Sequence, residues 1–268
     1  MSNFTIRPIN TGFVPTFPKQ YHYHHSVHPY IPGIKDEKEA LPVFTFLLED
    51  ENHRILVDTG MAWTERANDY HHAGSWQSEG EAIYEQLEKL NIPLESIDVI
   101  LFTHMHWDHI FYMDRFTNAR FVAHEREYAF ALDPIPLYYK SYEHPFLGIV
   151  RPFEGLKIET ISGETEIVPG VRCFETFGHS PGHMSVEVDT LNGKYICGGD
   201  SAFRLQNFAA IPEIGYTVTP PSRFADIVEA WKSLEIQKER AESLGHILLS
   251  HETALLEQSA KTPVLGLG

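Results

Sequence analysis

Thr103-His104-Met105-His106-Trp107-Asp108-His109, "THMHWDH", places three imidazoles and a carboxylate within six positions, from His104 to His109. What precedes this cluster decides the fold. The run Ser96–His104, "SIDVILFTH", is apolar almost without interruption, the pattern of a strand buried on both faces. The cluster therefore sits just past the C-terminal end of a buried strand, where sites in α/β architectures gather.

Outward from it, Phe4–Pro15 is strand-like, and Val43–Leu48 with Ile55–Val57 reads as a hairpin across "EDENHR". Between them, Lys19–Leu41 is an irregular loop rich in aromatics and histidine. Glu79–Leu90 carries Ile83, Leu87 and Leu90 at helical spacing. After the cluster come a short strand, "ARFVAH", and a short helix, Glu125–Leu132. The following segment to Leu156 holds Tyr138, Tyr139, Tyr142, Phe146 and Phe153 among prolines, too aromatic for a linker. It reads as a lid or pocket wall. Strands follow in "LKIETI", "TEIVPGVRCFETF", "HMSVEVDT" and "KYICGGD". Ser222–Leu244 is the clearest helix, with Phe224, Ile227, Val228, Trp231, Leu234 and Leu244 on one face and Ser222 as its N-cap. "HILLSH" closes as a last strand before a terminal helix. Two blocks of strands, each followed by helices and with no linker between, predict two sheets packed face to face under outer helices.

The 268 residues are 43% hydrophobic, ample for a core, and 21 Lys and Arg stand against 37 Asp and Glu. A formal charge of −16 repels a phosphate backbone, which excludes nucleic acid as the expected partner. The start "MSNFTIRPIN" has no basic then apolar leader pattern, and no run is long enough to span a bilayer, so a cytoplasmic protein with no membrane partner is expected. Cys173 and Cys197 lie in strand-like runs and read as buried, reduced core residues.

A turn after a strand lets His104 and His106 aim at one ion and lets Asp108 and His109 address a second position beside it. Three further candidates follow strand ends downstream: His183 in "GHSPGHMS", Asp200 in "CGGDSAF" and His251 in "LLSHE". Imidazole and carboxylate suit zinc first, with manganese, iron or cobalt as alternatives. Asp58 in "VDTG" reads as a residue that orients the ligand turn. The single "DTG" lacks the second carboxylate of an aspartic protease. "GHSPG" fits the serine-hydrolase elbow G-x-S-x-G, yet Pro181 follows Ser180 and has no N–H for an oxyanion hole, and strand rather than helix comes next. His22, His24, His25, His28, His71 and His72 read as pocket-lining or solvent-facing, and His124, His179 and His246 as structural.

His104, His106, Asp108, His109, His183, Asp200 and His251 together resemble the H-x-H-x-D-H, H, D, H signature of the metallo-β-lactamase superfamily, from "ILVDTG" at Ile55 to His251. The resemblance implies an α+β, four-layer αββα sandwich in a single domain covering 1–268, with a pocket loop at about 18–42 and a lid at about 125–156. It implies that His104, His106 and His183 hold one metal, that Asp108, His109 and His251 hold the other, and that Asp200 bridges them. A hydroxide shared by the two divalent ions would attack the substrate carbonyl while Asp108 carries a proton to the leaving group.

"GHSPGH" with a later Asp and His is most similar to the N-acyl-homoserine lactonases, which implies a small, mainly apolar lactone or ester as substrate. Trp63, Tyr138 and Phe203 are the expected pocket residues. Phe203 stands where that branch carries a tyrosine that donates to the substrate carbonyl, and Tyr216 and Tyr112 are the candidates to replace its hydroxyl. "IFYMDRF" replaces the small residues that usually follow the cluster. A phosphotriesterase of the same fold is one alternative, and a glyoxalase II-like thioesterase another. The latter would need a glutathione-binding domain, and 17 residues follow His251. A non-catalytic metal-binding protein is disfavoured by the seven candidate ligands, and a homodimer is left open.

Overall fold

The computed structural model describes residues 3–267. Its first sheet has six strands in chain order: β1 (Thr5–Thr16), β2 (Glu39–Glu49), β3 (Arg54–Val57), β4 (Val99–Leu101), β5 (Arg120–His124) and β6 (Ile158–Ile161). β1, β2 and β3 pair antiparallel, and β3 through β6 run parallel. The second sheet comprises β7 (Thr165–Val168), β8 (Val171–Glu175), β9 (Met184–Thr190), β10 (Gly193–Gly199) and β11 (Ile247–Leu249), ordered β11-β10-β9-β8-β7. Its one parallel pair, β10 with β11, puts Asp200 and His251 past neighbouring strand ends.

Alternation along the strands builds the layers. Phe44, Phe46, Leu48, Ile55, Val57, Val99, Leu101 and Val122 point inward and meet Val171, Cys173, Val186, Val188 and Cys197 of the facing sheet. Leu47, Leu56, Ile100 and Phe121 point outward, and are covered by Ile83 and Leu87 of helix α1 (Ile83–Lys89) and by Tyr142 and Phe153 of the aromatic segment after β5. Behind the second sheet, Ile247 and Leu249 pack on Leu234 of the long helix. The result is the expected αββα sandwich. Helix α2 (Glu125–Leu132) follows β5 directly, α3 (Ile227–Arg240) lies on the second sheet, and α4 (Ala254–Lys261) closes the chain. No helix among the described residues is long and apolar enough to cross a membrane. Both cysteines are buried and free.

Several boundaries differ from the sequence reading. "LKIETI" supplies the edge strand of the first sheet rather than joining the second block. Strand β2 begins at Glu39, so the irregular loop is shorter, and it contains one helical turn at Pro18–Tyr21 and a 3-10 segment at His25–Tyr30. Helix α1 starts at Ile83, where Glu85 reaches back to accept from the Ala82 N–H at 3.2 Å; residues 79–82 form turns.

The long helix begins at Ile227, not Ser222. Asp226 is its N-cap, accepting from the N–H groups of Val228 at 2.8 Å and Glu229 at 3.1 Å. Ser222 instead donates to the Tyr23 carbonyl. The buried stripe is Ala230, Ser233, Leu234 and Gln237, while Val228 and Leu244 from the expected face are exposed. Asp226→Ala should destabilise the protein by about 1 kcal/mol in chemical denaturation, since two orphan helix donors lose their acceptor. No change would remove Asp226 as the cap.

Candidate metal centre

The candidate ligands and Asp58 leave strands at the same edge of the sandwich. Asp58 follows β3, His104 to His109 follow β4, His179 lies between β8 and β9, Asp200 follows β10 and His251 follows β11. Three groups of ligand atoms, each within 4.8 Å of one another, form there: His104, His106 and His179; His104, His109 and Asp200; Asp108, His109 and His251. Asp200 stands between the outer two. Its Oδ2 lies 3.2 Å from His251 Nε2, 3.5 Å from His179 Nε2 and 3.9 Å from His104 Nε2, and its Oδ1 lies 3.4 Å from His109 Nε2.

These residues fit a pair of metal ions. The Nε2 atoms of His104, His106 and His109 and Oδ1 of Asp200 are buried without a hydrogen-bond partner. Each such atom costs about 1–3 kcal/mol unless something compensates it. Ligand atoms on a tetrahedron of radius about 2.0–2.1 Å lie roughly 3.3–3.4 Å apart, close to the spacings around Asp200.

The opposite edges of the rings are held. Asp58 accepts from His109 Nδ1, from the Thr103 hydroxyl and from the Thr103 N–H, each at 2.8 Å. His251 Nδ1 donates to the Pro42 carbonyl at 2.7 Å. Such outer bonds leave Nε2 free to face an ion.

Electrostatics divide the imidazoles. Burial depresses His104 and His106 well below the usual imidazole range, neighbouring histidines add to this, and Arg223 adds to it at His106. Burial also brings His179 down to about 4. Burial acts the same way on His109 and His251, but Asp200 beside both, with Asp58 and Asp108 nearby, lifts them above the ordinary value. Asp200 is held low despite its burial, because His251 and His109 flank it.

The structure departs from the expected assignment at one ligand. His179, read from sequence as structural, joins His104 and His106, with its Nε2 3.1 Å from His106 Nδ1. His183 is in none of the three groups. Its Nδ1 meets Thr176 Oγ1 at 2.9 Å and its Nε2 accepts the Asp200 N–H at 3.2 Å, so it positions Asp200 from behind. The loop carrying His179 is clamped on both sides. A Cβ on Gly178 would lie 2.3 Å from Ala230 N in α3, and one on Gly182 would lie 2.1 Å from Glu127 N in α2. Only glycine permits these approaches.

Glu127, unmarked in the sequence reading, is fully buried at the start of α2. It accepts from the Met105 N–H at 2.9 Å, Tyr142 Oη at 2.8 Å, Ser180 Oγ at 2.6 Å and the Gly182 N–H at 3.0 Å. One carboxylate thus joins the His104–His109 turn, the His179 loop and the segment carrying Tyr142. Ser180 is bound to Glu127, with no histidine placed to activate it.

A cavity of about 210 Å³ opens onto Asp108, Asp200, His106, His179 and His251. Phe203 lines it, stacked on His251 at 5.6 Å. Tyr138 stacks on His106 at 6.4 Å but does not line the cavity. Trp63 and Tyr112 face a separate surface groove, where Tyr112 donates to Gln77. Tyr216 packs edge-on to Trp231 at 5.0 Å, also away from the cavity. None of these three reaches the site, and Tyr21 supplies the one tyrosine of the lining. His71 and His72 line it as expected, while His22 is buried behind Phe203, its Nε2 2.8 Å from Thr16 Oγ1.

The chain belongs to the metallo-beta-lactamase superfamily, whose family model matches residues 39–251. It is 31% identical over 186 residues to N-acyl homoserine lactonase AiiA of Bacillus thuringiensis subsp. kurstaki, covering 66% of this chain and 70% of that one. N-acyl homoserine lactonase AiiB of Agrobacterium fabrum is 25% identical over 75% of this chain and 74% of its own. A solved N-acyl homoserine lactone hydrolase, with the product N-hexanoyl-L-homoserine at its catalytic metal center, superposes with a TM-score of 0.74 at 25% identity, covering 96% of this chain and 97% of that one.

Glu127→Gln keeps size but sets an amide N–H₂ against donors on one side. It should weaken zinc binding by about 10–100-fold in a competition titration with a chromophoric chelator. Unchanged affinity would show that the clamp does not serve the ligands.

Proposed function

We propose that this protein is a dinuclear metal hydrolase that opens lactone rings, with N-acyl-homoserine lactones as its first substrate class. The observation that carries the reading is the convergence of buried, unpartnered imidazole nitrogens and the Asp200 carboxylate at one point beside a cavity. The names of the related lactonases support the same class.

His104, His106 and His179 would hold one ion, Asp108, His109 and His251 the other, and Asp200 would contact both; imidazole and carboxylate donors favour zinc. Bound there, two such ions polarise an ester carbonyl and lower the pKa of water towards neutrality. The chain's own residues then orient and protonate. Asp108 lies on the cavity wall with its Oδ2 3.6 Å from His251 Nε2, and we assign it the relay to the ring oxygen, as the ester bond breaks, of the proton given up by the attacking water. Phe203 offers a flat apolar wall and no hydroxyl, so any protein donor to the carbonyl comes from elsewhere in the lining, where Tyr21 is the one tyrosine. Segments 18–42 and 125–156 contribute Tyr21, Leu41, Leu137, Lys140 and Ser141 to that lining, which supports their roles as pocket loop and lid. Cytoplasmic location is part of the same proposal, in keeping with two reduced cysteines.

The experiment is acid release from acyl-homoserine lactones by zinc-loaded protein, with a chelated control and with thioester and phosphotriester comparators. Chelator-sensitive turnover of lactones is expected. Turnover of thioesters or phosphotriesters alone would keep the metal site and replace the substrate class. Asp200→Asn should lower lactone turnover by at least about 10³-fold, because both ion positions lose a charged ligand; wild-type activity would refute the ligand assignment. Ser180→Ala should keep turnover within about tenfold while costing about 1 kcal/mol of stability from the lost bond to Glu127. A collapse of activity in a folded Ser180→Ala protein would restore the serine as a nucleophile.

A further inference from the structure

The rim of the same cavity carries a charge pattern that the lactonase reading does not use. Arg223 enters from the segment preceding α3 and Lys140 from the lid, and both are exposed lining residues. Among the described residues neither side chain has an ion-pair or hydrogen-bonding partner; the Arg223 guanidinium lies over the Tyr138 ring at 5.8 Å and near enough to His106 and His179 to act on both. The only carboxylates lining the cavity are Asp108 and Asp200, at its floor in the metal groups. The outer wall is therefore cationic, in a chain whose formal charge is −16.

That distribution is informative because acidic residues outnumber basic ones by 37 to 21, so many surface cations find an acidic neighbour. Arg66, Arg172, Arg204 and Lys194 do so. Two cations left without partners at one rim focus the field of the opening towards anions. The cavity is lined from Asp108 and Asp200 out to Lys140 and Arg223, so a substrate whose lactone carbonyl sits at the carboxylates directs its arm towards the two cations. Leu137 beside Lys140 is largely exposed and gives the arm an apolar contact on the way out.

We propose that Arg223 and Lys140 form a recognition site for a carboxylate at the far end of the substrate's acyl arm. The preferred substrate is thus a lactone whose side chain is short and anionic at its tip. This rests on the lactonase reading for the bond that is cleaved, but the rim acts on the arm and can be tested separately.

The test uses two isosteric arms, N-succinyl- and N-(4-methylpentanoyl)-homoserine lactone, which differ in a terminal carboxylate against a branched methyl end. Turnover is measured on zinc-loaded wild type and on the Arg223→Glu/Lys140→Glu double variant. Binding of the two ring-opened products is measured by calorimetry on the same proteins. Two solvent-exposed ion pairs predict a preference of about tenfold for the succinyl compound at low ionic strength. The preference should shrink as salt is raised to about 0.5 M and should reverse in the double variant. Circular dichroism and the single variants Arg223→Gln and Lys140→Gln, each expected to lose part of the preference, guard against misfolding.

Equal affinity for the two products, or a succinyl preference that survives charge reversal, overturns the proposal. Product selectivity without turnover of either lactone would support the carboxylate site and sink the lactonase reading instead.

Discussion

The structure depends on one unfavourable arrangement: Nε2 of His104, Nε2 of His109 and Oδ1 of Asp200 are buried in one cluster, with no hydrogen-bond partner among the described residues. Left alone, His104, His109 and Asp200 would each cost about 1–3 kcal/mol, a large share of a net stability of about 5–15 kcal/mol. Divalent cations held by these atoms would relieve it. The rest of the edge is organised so that these atoms cannot turn away and find other partners. Asp58 fixes His109, Pro42 fixes His251, and His183 fixes the backbone of Asp200.

Those holding contacts come from all parts of the fold, which explains why a sandwich suits the site. Two sheets end at one edge, so the candidate ligands after β4, β10 and β11 meet without long loops. Helices α2 and α3 press on the His179 loop from either side through Gly182 and Gly178. Gln237 of α3 accepts from Ser201, next to Asp200, so the second sheet's outer helix also steadies the ligand at its centre. Packing, in this molecule, is how ligand positions are kept.

Much of this was legible in the sequence, and the limits are physical. A buried strand followed by H-x-H-x-D-H announces itself by apolar run and ligand spacing, and the strands and the αββα order followed from periodicity and resemblance. His179 and His183 were not separable in that way. They lie four residues apart in one loop, and which of them joins His104 and His106 depends on Thr176, Gly178 and Gly182 meeting distant elements. Glu127 gave no signal, because an acidic residue in the first turn of a helix is ordinary, and its four donors come from three separate segments. Trp63, Tyr112 and Tyr216 were expected at the pocket as aromatics near the motifs, but local nearness does not set the direction of a side chain. The cap at Asp226 was missed because the apolar pattern extends past the helix at both ends.

The central claim is a two-ion site in which His179 is a ligand. Its most direct test is the number of zinc ions bound per chain, measured by elemental analysis after loading and desalting, in the wild type and in His179→Ala. The account predicts two ions in the wild type and one in the variant. Two ions retained by His179→Ala, or no more than one in the wild type, would contradict it.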